Sequence, residues 1–155
     1  MIAASQLNQR LGRPIGSICP NGYSDPNDNH CAHYVSHVLN FRFGTTCRTM
    51  HAGTNPGANI RVQELFARCP DVGGWTDRPA HVHQCLVFVT DASNVDLPHK
   101  LMANVPRKHV GIYVNGMIWH YSNSTSKVVS VPPEHFQHHY HGPNTALFYG
   151  TMPVG

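Results

Sequence analysis

Hydrophobic and polar positions alternate most regularly from Lys108 to Ser122, KHVGIYVNGMIWHYS. Two runs of β-branched and aromatic residues flank Asn115-Gly116, a pair that favours a two-residue hairpin turn because both central positions need positive φ. That turn would set Val114 opposite Met117, Tyr113 opposite Ile118, Ile112 opposite Trp119 and Gly111 opposite His120. His109, Gly111 and Tyr113 then share one face of the strand, and Val110, Ile112 and Val114 share the other. His120 projects on the His109 side, diagonally across from it, and Gly111 leaves the space between the two imidazoles open.

The run at 84–90, QCLVFVT, is almost continuously apolar and reads as a central strand. Shorter strands are expected at 127–131 and 145–150. Upstream the period becomes helical. A short helix is expected within 1–10, then a loop at 17–29 dense in Pro, Asn, Asp and Gly. From Cys31 onward Ala32, Val35, Val38 and Leu39 fall on one buried stripe, which puts His33, His37 and Asn40 on the surface. Asp28 and Asn29 are candidate N-caps for this helix, and Gly44 a candidate end. The segment 45–59 reads as loop. Asn59 then caps a second helix that buries Val62, Leu65, Phe66 and Cys69. Turns follow at 70–79, and 91–107 is a polar insertion that could form a lid over a groove. Helices first and a strand meander afterwards predict an α+β fold with an antiparallel sheet. At 155 residues the chain suits a single domain, 1–155, large enough to bury a genuine core.

Composition narrows the function classes. The formal charge of +3 is mild and no Lys/Arg run reads as a nucleic-acid patch. No stretch approaches the roughly 20 apolar residues of a membrane span. Residues 1–20 carry no basic segment followed by an apolar run, so no signal peptide is read there. The five cysteines, Cys19, Cys31, Cys47, Cys69 and Cys85, are odd in number and lack CxxC spacing, which argues against a zinc ribbon. Pairing among Cys19, Cys47, Cys69 and Cys85 stays open. The thirteen histidines include the tract 134–141, EHFQHHYH. It reads as a solvated loop, with metal binding through His135 and His138 or His139 as the less favoured alternative. His81 and His83 form a similar pair without a third ligand.

Cys31 is the candidate nucleophile. A thiol in the first turn of a helix feels the positive end of the macrodipole and unpaired N–H groups, both of which favour the thiolate. The backbone N–H of Cys31 is also the natural donor to an oxyanion. The competing reading is a buried structural cysteine, as free cysteines commonly are. The polar approach DPNDNHC and the downstream histidines weigh against that.

The segments NHCAHYVSHVL, QCLVFV and KHVGIYVNGMIWHYS together resemble the NlpC/P60 branch of the papain-like cysteine peptidases, over the span Cys31 to His120. The resemblance implies Cys31 as nucleophile, His109 as general base and then acid, and His120 as the orienting third member. It implies Tyr23, Ala32 and Gly111 around the oxyanion and substrate, and no metal or other cofactor. The implied substrate is a peptidoglycan stem peptide, cut at the D-Glu–diaminopimelate bond or a neighbouring cross-link. The chain departs from the family in having His30-Cys31-Ala32-His33 where Asp-Cys-Ser-Gly is usual. Tyr23 stands closer to the cysteine than the family's tyrosine does, with no Gly pair beside it. In these departures it is similar to small amidase effectors injected through type VI secretion. That likeness implies synthesis in the cytoplasm, delivery to the periplasm or cell wall by a non-Sec route, and a cognate immunity protein as partner. A CHAP-type site with Asn123 as third residue fits the same segments. Outside this class, a His/Cys metal-binding protein and a catalytically silent peptide- or glycan-binding module remain as alternatives.

Overall fold

The computed structural model describes residues 1–154. In chain order it places helices α1 (Ala4–Asn8), α2 (Cys31–Leu39), α3 (Cys47–Met50) and α4 (Val62–Arg68) before strands β1 (Val72–Gly74), β2 (Gln84–Asp91), β3 (Val95–Asp96), β4 (Leu101–Met102), β5 (His109–Val114), β6 (Met117–Ser122) and β7 (Lys127–Val131). Helix α5 (Pro133–Phe136) and strand β8 (Thr145–Gly150) close the chain. Six strands form one antiparallel sheet in the order β1-β8-β2-β5-β6-β7, and β3 and β4 pair separately. The α+β class is therefore as expected. No helix among the described residues is long and apolar enough to cross a membrane.

The apolar run at β2 lies between β5 and β8, so both of its edges are hydrogen-bonded, and both of its faces are buried. On one face Leu86, Phe88, Val110, Ile112 and Val114 pack with Cys31, Val35, Leu65 and Phe66 from α2 and α4. On the other, Cys85, Val87, Val89, Tyr113 and Ile118 pack with Phe136 of α5.

The hairpin takes the expected register, with Val114↔Met117, Tyr113↔Ile118 and Ile112↔Trp119. Asn115 and Gly116 adopt φ of 47° and 98°, as a turn with two left-handed residues requires. The ladder stops short of Gly111–His120, and the open space expected over Gly111 is not there. A Cβ at Gly111 would stand 2.6 Å from Ile118 Cγ2 and 3.0 Å from the Trp119 carbonyl oxygen. Glycine here permits close approach of β6 rather than flooring a cavity. Gly111→Ala is accordingly expected to cost about 1–3 kcal/mol as an overpacked site, read as a lower midpoint in urea.

Other differences have local causes. Helix α2 ends earlier than Gly44, because Asn40 takes a left-handed φ of 61° and its N–H caps the Ser36 carbonyl. The loop at 45–59 contains α3, and the turns at 70–79 contain β1, whose Gly73 lies under the Tyr149 ring. Asn59 does serve the start of α4, accepting from the Arg61 N–H at 2.8 Å. In the insertion 91–107, β3 and β4 pair with each other and Lys100 Nζ reaches the Pro70 carbonyl at 3.3 Å, while its end, Asn104, Pro106 and Arg107, lines a cavity beside the start of α2.

Candidate active site

Helix α2 begins at Cys31, and a polar network fixes where. Asn29 Oδ1 accepts the Cys31 N–H at 2.9 Å, Asn123 Oδ1 accepts the His30 N–H at 2.9 Å, and Asn123 Nδ2 donates to Asn29 Oδ1 at 2.8 Å. Asn29 Nδ2 in turn donates to the Lys108 carbonyl at 3.3 Å, next to the first residue of β5. Asn123 thus holds the start of the helix and is not the partner of His109. Asn123→Ala should lower stability by about 1–2 kcal/mol, measured by urea unfolding, because the acceptor for the His30 N–H and the bond that steadies Asn29 go together.

His109 opens β5 and is fully buried. Its Nε2 meets His120 Nδ1 at 2.8 Å, with the rings edge to face. The other nitrogen, Nδ1, is buried without a hydrogen-bond partner. An orphaned buried polar atom is uncommon and calls for an explanation, a catalytic role being one. The tract at 134–141 forms helical turns rather than loop and is mostly exposed, as its composition suggests, but it leans on this pair. Phe136 is buried, and His139 stacks on His109 with centroids 3.9 Å apart and planes 8° apart. His109, His120 and His139 bring three ring nitrogens close together. Parallel stacked rings cannot both direct in-plane lone pairs at one ion, so this arrangement does not make a metal centre of the three.

The thiol of Cys31 is buried, in the apolar layer shared with Val110 and Ile112. The backbone N–H groups of Val110 and Ala32 reach its sulfur, which places it at the His109 end of β5. No hydrogen bond among the described residues joins Cys31 Sγ to His109. Burial pushes the Cys31 thiol up to about 11, outweighing the N–H donors and the Lys108 ammonium that favour the thiolate. The expectation of a low-pKa thiolate at the helix start is therefore corrected. Desolvation of a fully enclosed sulfur exceeds what a nine-residue helix supplies. The Cys31 N–H, expected to face an oxyanion, is taken by Asn29. Burial likewise holds His109 well below its ordinary range and His120 down at about 4, so both imidazoles rest neutral at pH 7.

Tyr23 is buried, donates its hydroxyl to Asp28, and packs its ring on His30 and His33. Ala32 is buried and serves through its backbone. A cavity of about 320 Å³ adjoins the start of α2, lined by Tyr23, Asn29, Arg61, Arg107 and Lys108 among others. Cys31 itself does not line it.

Sequence reasoning missed a second cluster. His33 is buried, not on the surface, because α2 is covered on its outer side by the loop before it and by α3. His33 and His37 there approach Cys19 and Cys47. Their one-turn spacing on α2 was the available signal.

Compared with known proteins, the chain matches no protein-family model, no curated protein and no solved structure.

Proposed function

We propose that the chain is a papain-like cysteine amidase of the NlpC/P60 type, with Cys31 as nucleophile, His109 as base and His120 as its orienting partner. The observation that carries this reading is the His109 Nε2–His120 Nδ1 contact with His109 Nδ1 left over, on the strand end whose next N–H meets the Cys31 sulfur. With His109 donating from Nε2 to His120 Nδ1, the lone pair at Nδ1 is available as a general base. Because thiol and imidazole both rest neutral, the nucleophile is generated on demand rather than stored as an ion pair. The thiol proton passes to His109 Nδ1 as sulfur bonds to the substrate carbonyl carbon. The imidazolium then protonates the leaving amine, the C–N bond breaks, and a thioester remains. Water, deprotonated by His109, releases the acid and restores the thiol.

The substrate class is a peptide amide of peptidoglycan stems. Arg61, Arg107 and Lys108 around the adjoining cavity suit a ligand rich in carboxylates, which such stems are. Digestion of purified peptidoglycan with mass analysis of soluble fragments tests this. The expected result is amide-cleaved fragments with the wild-type chain and none with Cys31→Ala.

A second reading, a catalytically silent peptide-binding module on the same fold, is favoured by one observation: the Cys31 sulfur is enclosed and makes no bond to His109. A thiol-directed acyl-peptide electrophile separates the two. Selective modification of Cys31 among five cysteines supports the amidase; binding of the peptide with Cys31 unmodified supports the silent module.

A further inference from the structure

Cys19, His33, His37 and Cys47 present four ligand atoms, all within 4.8 Å of one another. Cys19 comes from the loop before α2, the two histidines from successive turns of α2, and Cys47 from the first position of α3. The edges are 3.9 Å for Cys19 Sγ–Cys47 Sγ, 3.8 Å for Cys47 Sγ–His37 Nε2 and 3.1 Å for His33 Nε2–His37 Nε2. A tetrahedral zinc with Zn–S of about 2.3 Å and Zn–N of about 2.0–2.1 Å has edges of roughly 3.8, 3.6 and 3.3 Å in the same order. We propose that these four side chains form a structural Zn(II) site of Cys₂His₂ composition.

The surroundings are those of a metal centre. His33 Nδ1 lies 3.0 Å from His30 Nδ1, and His30 Nε2 lies 2.7 Å from the Asp25 carbonyl oxygen. One assignment satisfies both contacts: His33 donates from Nδ1 to His30, and His30 donates from Nε2 to Asp25. That leaves the His33 Nε2 lone pair for the ion, with a hydrogen-bonded second layer fixing its ring. The sulfurs also have donors. The Ala58 N–H reaches Cys47 Sγ at 3.4 Å, and the backbone N–H groups of Asn21 and Tyr23 reach Cys19. Such donors suit sulfur carrying negative charge. Two thiolates and one divalent ion sum to zero, so the site can be buried without residual charge. Binding would release the two thiol protons to solvent. All four ligands come from protein and three of the four residues are buried, which fits a closed structural ion rather than a reactive one.

The site ties the loop at 19–23 and α3 to the helix that begins with Cys31, and it stands whether or not Cys31 is catalytic. The test is Co(II) titration of the full chain after reduction and chelation. Saturation at one equivalent is expected, with intense visible bands of tetrahedral cobalt and a near-ultraviolet thiolate charge-transfer band, both displaced by zinc. Cys19→Ser and Cys47→Ser should each weaken the charge-transfer band, and the double variant should abolish it. His37→Cys should keep tetrahedral cobalt and strengthen that band, while His139→Ala leaves the stoichiometry unchanged. For wild type, chelation is expected to lower the melting temperature by roughly 10 °C or more, a readout that needs no variant to fold. Octahedral cobalt, a charge-transfer band surviving in the double variant, or a Cys19–Cys47 disulfide persisting in place of metal would overturn the assignment.

Discussion

Replacing His109 with alanine is expected to lower peptide-amide cleavage by about 10³-fold or more, and Cys31→Ala to abolish it to background, since members of such a unit fail together rather than additively. His120→Ala should be milder. It leaves the base in place but frees His109 Nε2 from its 2.8 Å partner, so tautomer and ring orientation relax. An orienting role predicts that His120→Asn recovers part of what His120→Ala loses, because an amide oxygen can still accept the Nε2 proton. The expected loss for His120→Ala lies in kcat with KM little changed, since His120 faces His109 and not the cavity beside Asn29. Kinetics on a defined stem peptide, with circular dichroism as the fold control, measure this. Full activity in Cys31→Ala would end the amidase proposal outright. Equal losses from His120→Ala and His120→Asn would remove only the orienting role.

The parts of this architecture that are legible in the sequence are those decided by short-range rules. Asn115-Gly116 dictates its own turn, and the turn dictates a register, so local pattern alone sets His109 and His120 on one face. The apolar run at 84–90 announces a strand covered on both sides. What fails is where tertiary burial overrides a local rule. The helix start does favour a thiolate at Cys31, but enclosure of the sulfur costs more than the macrodipole returns. His33 and His37 fall outside the apolar stripe of α2, so a one-sided amphipathic reading exposes them; a helix wrapped on a second side by loop and α3 buries polar residues that have partners. The tract 134–141 is mostly solvated as its composition suggests, but Phe136 anchors it and the flat face of His139 finds His109, contacts that no local rule announces. The strand β1 carries two glycines and no period, and exists because β8 offers an edge.

Acid should destabilise this fold well before its carboxylates titrate. His120 has an ordinary value of 6.5 and is held at about 4 by burial first and by the neighbouring His139 second. Between those values the unfolded chain takes a proton that the folded chain refuses. The unfolded state is therefore favoured progressively as pH falls. The stabilisation is complete above about pH 6.5 and is lost on the way down to about 4, where the folded group finally titrates. For His120 alone that amounts to about 3 kcal/mol, at 1.36 kcal/mol per pH unit. His109, displaced in the same direction by its burial, steepens the fall below pH 6.5. His139, which faces both rings, adds repulsion rather than relieving it. Urea midpoints at steps from pH 7.5 to 4 should decline steeply below 6.5, and His120→Gln, which keeps an acceptor for His109 but cannot be protonated, should decline less over that interval. Parallel curves for the two proteins would mean that His120 is already solvated and free to charge in the folded chain. The enclosed, neutral pair on which base catalysis by His109 depends would then be lost from the account along with the acid sensitivity.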